Sequence, residues 1–410
     1  LLVLVIFKDM QVDSNQIQNI LTLRYDPSQN SLLSPITWNN FTPKINNYSL
    51  DHIEKIIKNY ILKKFKNSNV KRISLALSGG VDSTLVLAFL KKTLPDLEID
   101  AISIKFANSV DETKTAEKIA EHFGVNHHVL FLDNYLKELP KAISITKLPF
   151  WDLHWYYVAK KSKTFSNYLA AGDGGDEVFG GYTFRYAKFL SLINPKSSVL
   201  EKTQAYLKCH ERDSVNDQES IFGKKIPFSW NLIYEQISSN FNNKLSILDQ
   251  VFLADYNGKL MNNFSPINNK INDYFELTSI TPLLSSELIS YATTLDPNQK
   301  YSGIENVGKI PLQQLLKKYN LNSLILKEKQ GFSVNTLNLW KSYGQEICKN
   351  YLSDARIVKD EWINGDWISK YIDQNNLDVR YVNKFFGLLA FEIWYRLFIT
   401  KEMKSNTILS

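Results

Sequence analysis

Residues 73–83, ISLALSGGVDS, constrain this chain more than any other stretch. A short apolar run from Ile73 to Leu77 stops at Ser78-Gly79-Gly80, and Asp82-Ser83 then open a helical pattern. Two glycines let the backbone curl closely around an anion. The N–H groups of the turn and of the next helix's first turn then point at it. Ser78 and Ser83 add hydroxyl donors. Asp82 is the odd member, because a carboxylate repels phosphate unless a divalent cation sits between them. The segment therefore reads as a pyrophosphate cradle with a metal ligand built in. The competing reading is a plain Gly-Gly turn capped by Asp or Ser. It is not a Walker A loop, which ends in Gly-Lys-Ser/Thr.

A second glycine loop, YLAAGDGGDEVFGGY, spans residues 168–182. Here the glycines, Gly172 among them, alternate with Asp173, Asp176 and Glu177. Packing these carboxylates into one turn is costly without counter-charge. A bound Mg²⁺, a cationic substrate group or a lysine would relieve that cost. The competing reading is a calcium-like or merely solvated acidic loop.

Between and around these loops, apolar strands at Ile73–Leu77, Ile99–Phe106, His128–Leu132 and Tyr168–Ala171 alternate with helical stretches. That alternation predicts an α/β fold with a doubly wound parallel sheet, ligands sitting at the strands' carboxyl ends. From about residue 186 the pattern turns helical and aromatic, with loops expected at Asn194-Pro195, Asn262–Pro266 and Asp296-Pro297. The polar stretch 209–231 reads as a mobile excursion. Net charge is +6 with no basic block, so a nucleic-acid partner is not expected. Two cysteines, Cys209 and Cys348, suggest a reducing, cytoplasmic setting. His127-His128 and Cys209-His210 read as structural and not as metal ligands. The apolar opening LLVLVIF is too short to cross a bilayer and reads as a buried first strand.

The first loop resembles the PP-loop of the ATP pyrophosphatases, and GDGGDE-x-F-GGY is similar to the second signature of the asparagine synthetase family. FANSVDETKTAEKIAEHFGVNHH (106–128), LPFWDLH (148–154), LKEKQGFS (326–333) and AFEIWYRLF (390–398) resemble further segments of that family. In the helix of 106–128, Ala116, Ile119, Ala120 and Phe123 form the inner face. The resemblance covers residues 50–400. It implies an ATP-binding α/β core over 70–190 and a mainly helical part over 191–400.

It also implies a ligase. ATP would lie across the strand ends with its pyrophosphate in Ser78–Ser83 and its adenine near Ile104 and Gly172. Asp82 and Asp176 would share Mg²⁺. A substrate carboxylate, aspartate first, would be activated as an acyl-adenylate and then meet an amine. Lys329 matches the family's catalytic lysine; Asp173 and Glu177 are the other catalytic candidates.

The chain departs from the family in two places. Residues 1–49 are too few for a glutaminase domain, and both cysteines lie far inside the chain. They are expected to form an extension, with 19–38 a remnant strand pair. Nitrogen should then come from ammonia, a separate glutaminase or an amine on the substrate. The family's E-x-R-x-P-F-L-D segment is replaced by Thr278-Ser279-Ile280-Thr281-Pro282-Leu283-Leu284-Ser285, without its charges. This leaves open a different carboxylate, as in amide-forming or cyclising relatives, or a nucleotide-binding subunit without chemistry. A sibling PP-loop enzyme, such as a tRNA thiolase or an NAD synthetase, fits the second loop less well.

Overall fold

The computed structural model describes residues 10–66, 68–106, 111, 113–210, 212–325, 335–374 and 376–410. Lys329 lies outside the described residues, as do residues 1–9. Five parallel strands, β1 (Arg72–Ala76), β2 (Glu98–Phe106), β3 (Asn126–Leu132), β4 (Tyr168–Ala170) and β5 (Thr278–Ile280), form one sheet in the order β3-β2-β1-β4-β5. The chain steps outward from β1 to β3, then returns to the other side of β1 with β4. Strand order reverses between β1 and β4, so a crevice opens above their carboxyl ends. Both glycine loops leave the sheet there.

Side chains alternate between two cores, as pleated strands require. Ile73, Leu75 and Leu77 of β1 and its exit join Ile99 and Ala101 of β2 in one core. Ala76, Ile102, Ile104 and Phe106 enter the other. The inner strands therefore read as continuous apolar runs, whereas edge strand β3 leaves Val129 and Phe131 exposed. The helix Thr113–Phe123 buries Ala116, Ile119 and Ala120 as the periodicity predicts. The second core closes around the helix Val379–Phe398, which is apolar on nearly every side and buries Phe385, Leu389, Phe391 and Ile393 completely.

Four expectations change. The 278–285 segment supplies β5: Ile280 pairs with Ala170, and its carbonyl accepts from Ala171 N at 3.0 Å. The fifth strand is three residues long, too short for periodicity to reveal. Residues 262–266 are helical, within Tyr256–Phe264 and the start of Ser265–Tyr274, with Pro266 close to where the two join.

The 209–231 stretch is packed. Its polar groups are hydrogen-bonded: Gln218 donates to Leu21 O at 3.1 Å and Thr22 Oγ1 at 3.0 Å. Asp217 accepts from Trp367, Tyr371 and Tyr381. The expected strand pair over 19–38 is absent among the described residues. Asp13 instead caps a helix, Ser14–Leu23, by accepting from Asn15 N and Gln16 N, and its buried face packs on the helix Val379–Phe398.

The uncharged residues at 278–285 have structural work. Ile280 is fully buried beside Leu283, and Ser285 caps the helix Ser286–Thr294 by accepting from Leu288 N. Ile280→Arg is therefore expected to bury an unpaired charge and lower stability by at least about 3 kcal/mol. Thr278→Glu, at an exposed position, should stay within about 0.5 kcal/mol of the parent. Urea midpoints of the two variants check this; equal midpoints would contradict the burial of Ile280.

Candidate active site

The first loop is built by conformation. Gly79 adopts φ +75°, and a Cβ there would approach Thr115 Cγ2 to 3.0 Å. Gly80 then starts the helix Val81–Thr93, with its carbonyl accepting from Thr84 Oγ1 at 2.7 Å. The hydroxyls of Ser78 and Ser83 meet at 3.2 Å across the turn. The two expected anion donors thus face one point above β1.

The second loop folds onto the first. A Cβ on Gly172 would stand 2.7 Å from Ser83 N, and one on Gly175 would overlap the Asp82 carboxylate. Gly174, at φ +94°, lies against Leu284, in the turn that leaves β5. The short helix Gly175–Phe179 then carries Asp176 toward Asp82. Sequence spacing alone would not place these residues together; the adjacency of β1 and β4 does.

A lysine stands between the two carboxylates. Lys309 Nζ bonds Asp82 Oδ2 and lies 2.8 Å from Asp176 Oδ1, with its side chain nearly buried. Its backbone is left-handed, φ 52°, at the start of the helix Ile310–Lys318, and its N–H donates to Phe179 O at 3.0 Å. Gly181 lets the Lys309 stem pass, since a Cβ there would overlap it. Burial alone would lower the lysine's pKa, but Asp176 and Asp82 hold it above the ordinary range. Lys309 does not stand out in the sequence. The signal was Gly308-Lys309-Ile310-Pro311: a glycine in contact with Gly180 O, and a proline opening a helix.

Asp173 stands within electrostatic reach of Asp82. Burial, with a smaller push from Asp82, raises the Asp173 carboxyl above its usual range, while Asn268, donating to Oδ2 at 3.2 Å, opposes. Among the described residues, no three His, Cys, Asp or Glu donors gather as a closed metal site. Two carboxylates converging from two loops suit Mg²⁺, which takes one or two carboxylates and completes its shell with phosphate oxygens and water. The residues present fit such an ion.

The other expected residues lie apart. Glu177 accepts from Tyr182 Oη at 2.5 Å and faces an internal pocket with Lys300, Phe41 and Phe252, not the Asp82–Asp176 pair. Ile104 is buried near the end of β2. On the other flank His154, within electrostatic reach of Asp173, holds Asp152 at 3.3 Å, which in turn pairs with Arg24 at 3.1 Å. Asp152 and His154 belong to the LPFWDLH segment, which the structure thus brings beside the second loop.

The model of the asparagine synthase family matches residues 68–396. An asparagine synthetase (glutamine-hydrolyzing) of Bacillus subtilis is 23% identical over 364 residues, covering 80% of this chain and 56% of that protein. The asparagine synthetase (glutamine-hydrolyzing) of Gallus gallus is 33% identical over 129 residues, 28% of this chain and 22% of that protein. The chain therefore spans about half the length of the first and under a quarter of the second. Among solved structures, an NH3-dependent NAD synthetase from Campylobacter jejuni aligns with 48% of this chain and 98% of its own, at 16% identity and a TM-score of 0.25.

A folded-state pKa raised above the unfolded value means that ionised Asp173 opposes folding above that pKa. Asp173→Asn, which keeps an acceptor for Asn268, is expected to raise the urea midpoint at pH 7. The gain should shrink as pH falls and the parent's Asp173 takes up its proton. A variant no more stable than the parent at pH 7 would show that Asp173 is not strained.

Proposed function

The chain belongs to the asparagine synthase family, and from that premise we propose that it is an ATP-dependent, AMP-forming amide ligase. The observation that carries the reading is the meeting of Asp82 and Asp176 on Lys309, above the switch point of the sheet. Ligands of open α/β sheets bind in that crevice.

In this reading the Ser78–Ser83 turn and the first turn of its helix donate to the pyrophosphate of ATP. Asp82 and Asp176 would hold Mg²⁺, which when bound draws charge off the phosphate oxygens. Lys309 gives the leaving pyrophosphate a fixed positive neighbour. A substrate carboxylate attacks the α-phosphorus, forming an acyl-adenylate and releasing pyrophosphate. An amine then attacks the acyl carbon and expels AMP. Asp173, whose raised pKa makes it the stronger base, takes the amine's proton. Lys329 is assigned to the α-phosphate and the developing oxyanion on its resemblance to the family lysine. Adenine would pack beside Gly172 and Ile104.

Aspartate is the first candidate for the carboxylate. Ile280 and Ser285 favour a second reading, a different carboxylate, because they serve the core and a helix cap where the family places charges. Ammonia, free or from a separate glutaminase, is the proposed nitrogen source. Cys209 and Cys348 are both buried, and burial pushes the Cys348 thiol up, so neither suits a nucleophile for glutamine. Among the described residues no helix is long and apolar enough to cross a membrane. Reduced cysteines suit a cytoplasmic setting.

Asp82→Asn and Asp176→Asn are each expected to lower Mg²⁺-dependent pyrophosphate release by at least about 10²-fold, the loss typical of one electrostatic contributor. Undiminished release by either variant would remove that residue from the site. With the purified chain, ammonia should support amide formation and glutamine alone should not. Glutamine-driven turnover that survives Cys209→Ala and Cys348→Ala would show the nitrogen source to be misassigned.

A further inference from the structure

Asp152 and His154 form a hydrogen-bonded couple just before the helix His154–Ser162. His154 Nδ1 lies 3.3 Å from Asp152 Oδ1, and Tyr135 Oη donates to the same oxygen at 3.1 Å. Arg24 holds the other oxygen at 3.1 Å. Burial alone would raise the Asp152 carboxyl, but His154, Arg24 and Tyr135 hold it below the usual carboxylate range. An ionised carboxylate only accepts, so the hydrogen sits on Nδ1 and the lone pair on Nε2. Asp152 thus fixes the imidazole as a base and is placed to stabilise its cation.

The helix Ser265–Tyr274 seats this couple beside Asp173. Its Asn268 donates to Asp173 Oδ2 at 3.2 Å, and its Asn272 accepts from Trp155 Nε1 at 2.9 Å. Residues four apart share one helix face, about 6 Å apart along the axis. Trp155 follows His154 in the first turn of its helix, so that turn and Asp173 lie side by side against one face. His154 accordingly acts on the Asp173 carboxyl, opposing the rise that burial causes. The imidazole faces Asp152 on its own segment, Asp173 after β4 and, behind Asp152, Arg24; Lys270 of the bridging helix bonds Gln29 at 2.9 Å. The side chains of His154 and Asp152 are 24% and 30% exposed, so water reaches them.

We propose that His154 is a positioning residue of the amide-forming step, the group through which Asp173 passes the amine's proton to solvent. The proposal rests on the ligase reading. Ammonia and an acyl-adenylate give an amide, AMP and one proton: the C–N bond forms, the acyl C–O bond to AMP breaks, and the nitrogen gives up the proton. Asp173 takes that proton and must lose it before the next turnover. Nε2 of His154 receives it by way of a water, Asp152 balances the imidazolium, and solvent takes the proton from there. His154 does not touch the reacting atoms; it restores Asp173 as a base.

Two half-reactions of one preparation test this. ATP–pyrophosphate exchange, with Mg²⁺ and each proteinogenic amino acid in turn, reads adenylation alone. Amide formation with added ammonia reads the step that releases the proton. His154→Ala is expected to keep exchange close to the parent's, which also shows that it folds. Its kcat for amide formation at pH 7 should fall at least about 10-fold, with KM for ammonia little changed. Added imidazole should restore the rate. Asp152→Asn, whose amide can donate to Nδ1 and reverse the tautomer, should share the defect, and the double variant should be no slower than the slower single one. Full amide formation by His154→Ala, or a loss that imidazole does not rescue, would overturn the proposal and leave the ligase reading standing. If no amino acid supports exchange, the ligase reading fails, and NMR titration of His154 decides the couple. Titration at a lower pH in Asp173→Asn than in the parent upholds the link from His154 to Asp173; an unchanged titration overturns it.

Discussion

Lys309 reaches between Asp82 and Asp176, and the geometry of the cleft depends on that contact. Two carboxylates brought together from separate loops would repel each other in a poorly solvated site. One ammonium turns the repulsion into attraction and ties three elements together: the helix after β1, the short helix after β4, and the helix that Lys309 itself begins. The contact requires glycine at Gly175 and Gly181, where a Cβ would occupy the space of the Asp82 carboxylate or the lysine stem. It also holds Lys309 in a left-handed conformation, which costs a non-glycine residue about 1 kcal/mol. Tolerating that cost is consistent with a site organised for electrostatics.

Asp173 lies close by, and burial, with a smaller push from Asp82, raises its carboxyl above the usual range. In the proposed reading, Asp82 and Asp176 beside the backbone donors of the Ser78–Ser83 turn suit a metal–nucleotide complex. Toward the ends of β2 and β3, Arg24 pairs with Asp152 and Asp213, and Lys259 with Asp213.

The two glycine loops, four of the five strands and the inner face of the Thr113–Phe123 helix were legible from residue order. Each rests on local physics: glycine conformations, alternating or continuous apolar runs, and 3.6-residue periodicity. β5 was not legible, because three residues carry no period and Ile280 is apolar for reasons set by its neighbours. The 209–231 stretch was misread because Gln218 and Asp217 look solvated until their partners in distant helices are known. Lys309 was missed because it lies more than a hundred residues beyond either aspartate, and one lysine among many gives no sign of its destination.

Residue order by itself determined the class of sheet and the two glycine loops that leave its strands, since these follow from contacts near in the chain. Tertiary structure alone decided which loop residues meet. It brought Lys309 to Asp82 and Asp176, turned Glu177 toward a separate pocket, and set Arg24, just past the first described helix, opposite Asp152 and Asp213. These pairings join residues that are neighbours only because parallel strands and packed helices place them so, and electrostatic energy depends on that distance in space.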